Sequence, residues 1–145
     1  VNPSLPDCVV EIEQRLRQIS ALVRRRGRAL LERYGITPPQ FDALLILDKE
    51  GDLTIGEMST RLGLAYSTTT DLVDRLERAG FVVRQRDRAD RRVVRVCMQS
   101  SGAQLIEDVL DARRAYLARI LEPLGPEEKR EVLRVLDLLY AHMAH

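Results

Sequence analysis

The chain has 145 residues, 45% of them apolar and 31% charged, with a formal net charge of +1. That is enough for one domain with a real core, and too apolar for intrinsic disorder. No run of about 18 apolar residues exists to cross a membrane, and the opening VNPSLPDCVVEIEQ has neither the basic nor the apolar segment of a secretory leader, so a cytoplasmic location is expected.

Residues 9–34 are predicted as a long helix. Val9, Ile12, Leu16, Ile19, Val23 and Leu30 recur at three and four, close to a heptad seam. Asp7 is placed to cap its start, Arg24, Arg25, Arg26 and Arg28 load its second half, and Gly35 marks its end. Thr37-Pro38-Pro39-Gln40 is a capping box with proline at the first helical position. It opens a helix that buries Phe41, Leu44, Leu45 and Leu47 and runs to Gly51. Thr54-Ile55-Gly56-Glu57 reads as a second capping box, opening a short helix that turns Ile55, Met58 and Leu62 inward and breaks at Gly63. The next helix runs from about Tyr66 to Ala79, with Leu72, Val73 and Leu76 inward and Gly80 just beyond its end. Asp71 with Arg75, and Asp74 with Arg78, have the spacing of intrahelical ion pairs.

The period then shortens to two. Phe81 to Arg86 and Val93 to Met98 read as strands, with Asp87 to Arg92 as the turn between them. Two helices close the chain. One runs from about Ser101 to Leu121 with Ile106, Val109, Tyr116, Leu117 and Ile120 apolar. The other starts at Pro126-Glu127-Glu128, where acid complements the helix N-terminus. Val132, Leu133, Val135, Leu136, Leu138, Leu139, Tyr140 and Met143 cover most of its circumference. A terminal helix that apolar needs cover on several sides, which implies a second subunit.

Residues 84–95, RQRDRADRRVVR, hold six arginines and two aspartates, a net of +4, so the remainder is about −3. Such segregation on a nearly neutral chain is the footprint of a surface that meets a polyanion. A short helix, a tight turn, a second helix and an arginine-tipped hairpin together make a winged helix-turn-helix. A helix fits the major groove of B-DNA and reads base edges with its exposed face. Here that face begins Tyr66-Ser67-Thr68-Thr69-Thr70. The hairpin tip is placed to follow the backbone and probe the minor groove with Arg88, Arg91 or both.

These residues carry a resemblance to the MarR family of bacterial transcriptional regulators. It rests on ITPPQFDALLIL (36–47), LTIGEMSTRLGLAYSTTTDLVDRLERAGFV (53–82) and, most specifically, the wing RDRADRRVVRVCM (86–98). The resemblance implies a mainly α protein with a small β-hairpin wing. Residues 37–99 would form the DNA-binding winged helix-turn-helix, and 1–36 with 100–145 a helical dimerisation region. It implies a homodimer on a pseudo-palindromic operator, usually repressing and released by a small aromatic or lipophilic effector. Carried onto this chain, Tyr66, Ser67, Thr68, Thr69 and Thr70 are groove-facing, with Ser67, Thr68 and Thr70 as the main contacts. Arg75 is a phosphate contact, and Arg84, Arg86, Arg88, Arg91 and Arg92 belong to the wing. Ile12, Leu16, Ile19, Leu117, Ile120, Val132, Leu136, Leu139 and Met143 are the dimerisation set. Arg28 and Tyr34 are candidates for an effector site.

Two features depart from the family pattern. Met98-Gln99 stands where Leu-Thr is usual, so the cap of the following helix is expected at Ser100 or Ser101. One branch of the family senses peroxide through a thiol inside the first helix; the matching position here is near Glu13, and Cys8 lies before it. Two cysteines form neither a disulfide framework nor a metal quartet. His142 and His145 have no carboxylate or cysteine cluster beside them, and no phosphate loop or nucleophile–base pair is readable. No enzyme, cofactor or metal site is therefore expected. The competing readings are a winged helix that docks an acidic protein, and a thiol-based redox regulator.

Overall fold

The computed structural model describes residues 6–144. Six helices and one hairpin follow in chain order: α1 Asp7–Arg33, α2 Pro38–Glu50, α3 Ile55–Leu62, α4 Tyr66–Arg78, β1 Val82–Arg86, β2 Val94–Met98, α5 Ser100–Leu121 and α6 Pro126–Met143. The chain divides into two compact units, with the boundary between Val109 and Leu110, inside α5.

In the first unit, each helix starts and stops for a local reason. Thr37 accepts from the Gln40 N–H at 3.3 Å while the Gln40 side chain accepts from the Thr37 N–H at 2.9 Å, completing the box that opens α2. At α3 the box is half made. Thr54 Oγ1 accepts from the Glu57 N–H, but the Glu57 carboxylate takes the Thr54 hydroxyl and faces Arg95 instead of turning back to the backbone. α1 has Pro6 at its cap position and no side-chain cap; Asp7 lies one residue on, in the first turn, where it complements the dipole.

The end of α4 depends on Gly80. Its φ of +84° lets the Gly80 N–H reach the Glu77 carbonyl and the Phe81 N–H reach that of Leu76, which turns the chain straight into β1. β1 and β2 pair antiparallel with Arg84 opposite Val96. Leu53 adds a single bridge to Val96 on the other edge.

The core of this unit gathers one or two residues from every element. Phe41 and Leu44 of α2, Met58 of α3, Val73 and Leu76 of α4, Val82, Val96, and Ile106 and Val109 of α5 are all buried. Leu30 and Leu31 at the end of α1 and Ile36 in the connection to α2 add to it. The core thus draws on residues either side of the expected 37–99 stretch.

The start of α5 is fixed differently from the expectation. Gln99, not Ser100 or Ser101, is the residue whose carbonyl takes the first helical N–H groups, from Gly102 and Ala103. The Ser101 hydroxyl is spent on the Gly80 carbonyl at 2.6 Å. α5 is thereby stitched to the turn after α4.

The second unit contains the rest of α5 and all of α6. Glu128 accepts from the Gly125 N–H and starts α6. No residue of α6 is buried. Leu117, Ile120, Val132, Leu133, Leu136, Leu138, Tyr140 and Met143 are exposed and Leu139 half-buried. On α1, Val9, Ile12, Leu16, Ile19 and Val23 form a second exposed apolar ridge. Among the described residues, no helix is long and apolar enough to cross a membrane.

Candidate nucleic-acid interface

α4 has a buried face and an open one. Thr69, Leu72, Val73 and Leu76 face inward, three and four residues apart. Tyr66, Ser67, Thr68, Asp71, Arg75 and Arg78 are exposed, and Thr70 is half-buried. Thr69 therefore leaves the groove-facing set: it is 0% exposed, and its hydroxyl donates to the Ala65 carbonyl at 3.0 Å. Thr70 likewise donates to the Tyr66 carbonyl, but part of its side chain stays accessible. Tyr66, Ser67 and Thr68 stand free at the helix start, where the dipole favours an anion.

The hairpin is held to this helix by Arg84. Its Nη2 donates to Asp74 at 2.6 Å and its Nη1 to Glu77 at 2.7 Å, while its backbone N–H donates to the second Glu77 oxygen at 2.9 Å. Asp74 is thus committed to Arg84, and the expected pairs of Asp74 with Arg78 and of Asp71 with Arg75 do not form. Partial burial opposes the Arg84 charge, but the two carboxylates more than offset it and its pKa is raised. Arg84 belongs to the sequence-predicted contact set, yet its guanidinium faces α4. Its work is to aim the wing.

The wing tip is organised by Asp87. Its carboxylate accepts from Arg95 Nε at 2.8 Å and from the N–H groups of Ala89 and Asp90. These bonds, the Arg95 contact foremost, hold its pKa below the usual carboxylate range. Arg95 also faces Glu57, which links the wing to the start of α3. Asp90 pairs with Arg92, and Arg86 donates to the Arg91 carbonyl at 2.7 Å.

Of the six arginines in residues 84–95, three are neutralised internally: Arg84, Arg92 and Arg95. Arg86 keeps its charge, since it donates to a neutral carbonyl. Among the described residues, the side chains of Arg88 and Arg91 on the wing, and of Arg75 on α4, have no intramolecular partner. These are the cations free to meet phosphate.

Removing the Arg84 clasp by Arg84→Ala should loosen the hairpin without unfolding the core. The carboxylates are partly exposed, so the expected cost is only on the order of 1 kcal/mol. Amide hydrogen exchange checks this: β1 and β2 should exchange faster while α2 keeps its protection, and unchanged strand protection would show that pairing alone fixes the wing.

The remaining candidates fall elsewhere. Cys97 is buried on β2, and burial, with Asp52 close by, pushes its thiol up to about 11. That disfavours the thiolate a redox sensor needs. Cys8 is exposed in the first turn of α1. Arg28 is exposed on α1, and the Tyr34 hydroxyl faces the Asp108 carbonyl at 3.5 Å. His142 lies in the last turn of α6, and His145 lies outside the described residues. Among the described residues, no three His, Cys, Asp or Glu gather to hold a metal ion.

The Leu53 bridge, the Arg84 clasp and the Asp87 hub escaped sequence reasoning. Each joins residues far apart in the chain, or gives an ordinary turn-forming aspartate a second partner.

Comparison with known proteins agrees with this geometry. A model of the MarR family matches residues 36–94. The chain is 46% identical over 120 residues to the HTH-type transcriptional regulator YsmB of Bacillus subtilis, covering 83% of this chain and 82% of that protein. It is 33% identical over 105 residues to the HTH-type transcriptional repressor MdtR of B. subtilis, covering 72% and 68%. A solved MarR family protein from Bacillus stearothermophilus superposes with a TM-score of 0.88 at 45% identity, covering 98% of this chain and all of that one.

Proposed function

The chain belongs to the MarR family and is a DNA-binding transcriptional regulator, not an enzyme; from that premise we propose that it works as a cytoplasmic homodimer on a pseudo-palindromic operator. Each protomer lays α4 in a major groove and sets its wing tip against the flanking backbone or minor groove. The contacts are Tyr66, Ser67, Thr68 and Thr70 on α4, with Arg75 toward phosphate and Arg86, Arg88 and Arg91 from the wing; Arg92 joins them only by exchanging Asp90 for a phosphate. One observation carries this reading. The Arg84 clasp fixes the hairpin to α4, and the wing cations left uncompensated are those at and beside its tip.

Dimerisation would use Ile12, Leu16 and Ile19 of α1, Leu117 and Ile120 of α5, and Val132, Leu136, Leu139 and Met143 of α6. All of these but the half-buried Leu139 are exposed in the single chain, which supports this. Repression is the favoured sense, since one relative at 33% identity is named a repressor. Release by a small aromatic or lipophilic effector near Arg28 and Tyr34 completes the proposal.

Arg91→Ala tests the wing. Operator affinity should fall by about tenfold and the salt slope by about one per subunit, because a phosphate-neutralising cation is lost. Gel-shift titration at several salt concentrations reads both, and unchanged affinity removes the wing from the interface. The same titration of the parent chain separates the rival reading, a winged helix that docks an acidic protein. Such a module shows no sequence preference among duplexes.

A further inference from the structure

The open face of α4 carries one residue that a polyanion-binding surface should avoid. Ser67, Asp71, Arg75 and Arg78 are all exposed and lie four, four and three residues apart, so they share one stripe. Asp71 is at the centre of it. The other acids of this helix, Asp74 and Glu77, are both held by Arg84. Among the described residues, the Asp71 carboxylate has no hydrogen bond or ion pair, not even with Arg75 one turn away. A carboxylate left unpaired on a surface that approaches phosphates weakens binding to every sequence alike. It is offset only where the duplex supplies a donor. In the major groove donors are base amino groups, and a carboxylate, which only accepts, suits the cytosine N4 amino group.

We propose that Asp71 is a specificity-determining residue that accepts a hydrogen bond from a cytosine N4 amino group in each half-site, and that it penalises duplexes lacking that donor. The inference rests on α4 being the groove helix. It assigns sequence discrimination to an acid flanked by cations, where Arg75 and the wing supply affinity without reading bases.

The experiment is selection of bound duplexes from a random pool by the parent chain, its Asp71→Ala variant and its Asp71→Asn variant, followed by titration of single-base-pair substitutions. The parent should select a C·G pair at one position of each half-site, and replacing that pair should weaken it by about tenfold. Asp71→Ala should lose preference at that position alone, keep the rest of the site, and leave the salt slope unchanged. Asp71→Asn should shift the preference toward adenine, which an amide reads through N6 and N7. If Asp71→Ala keeps every base preference, or binds all sequences uniformly more tightly, Asp71 is only a repulsive or Arg75-screening charge and the assignment is overturned. If the parent itself selects no sequence, the groove reading of α4 falls first, a result distinct from the other two.

Discussion

Gly102→Ala is expected to destabilise the first unit by about 1–3 kcal/mol, as overpacking typically does, even though the residue is helical. On helix propensity alone the change should stabilise by up to about 1 kcal/mol. The packing reverses the sign. A Cβ at Gly102 would lie 2.6 Å from the Phe81 carbonyl oxygen and 3.0 Å from Met98 Cγ. The first neighbour is backbone, and that carbonyl already accepts from the Gln99 N–H at 2.8 Å. It cannot retreat without breaking the bond that joins the strand ends to the start of α5. The Ser101 bond to Gly80 lies in the same place and would be strained with it. For a chain of this length the midpoint should fall by roughly 3–10 °C in thermal unfolding. Gly27→Ala is the control, because a Cβ there would meet nothing within 4 Å beyond the adjoining backbone of its own helix; it should follow propensity and raise the midpoint. If both glycines respond alike, close packing at α5 does not set the cost.

Gly102 also shows where sequence reading stops. In the sequence it is one glycine after two serines, and nothing nearby says that a strand-end carbonyl will press on it. The features that could be read are those whose partners lie within four or so residues. The Thr37–Gln40 box, Gly80 after α4 and the period-two strands around a charged turn all have local causes, and all stand as read. Thr69 was legible in principle. It sits three residues before Leu72 and four before Val73, so the helical period alone places it inside; grouping it with its hydroxyl neighbours obscured that. Arg84 and Arg95 were not legible as structural cations. Their partners, Asp74, Glu77 and Glu57, lie seven or more residues away and are met only after the hairpin folds back. The +4 of the wing segment was therefore a correct count and an overestimate of the charge available to a partner.

Leu136→Arg should convert the proposed dimer into a monomer at micromolar concentration. Leu136 is 57% exposed in the single chain, beside Leu133 at 60% and Val132 at 40%. α6 buries nothing of its own, so the protomer gains little from this apolar surface unless a second copy covers it. A two-fold interface presents each substitution twice. An arginine there would bury two unpaired charges, each costing several kcal/mol. Arginine can lead its charge out to water along its stem, so Leu136→Asp, too short to do so, should disrupt at least as strongly. Light scattering reads the mass directly. Binding to a two-half-site operator should then fall by about 10²–10⁴, the loss of linkage between two recognition units, while binding to one half-site changes little. An intact dimer in both variants would place the interface away from this face of α6. A monomer that still binds the full operator at parental affinity would mean that the two lobes act independently on DNA.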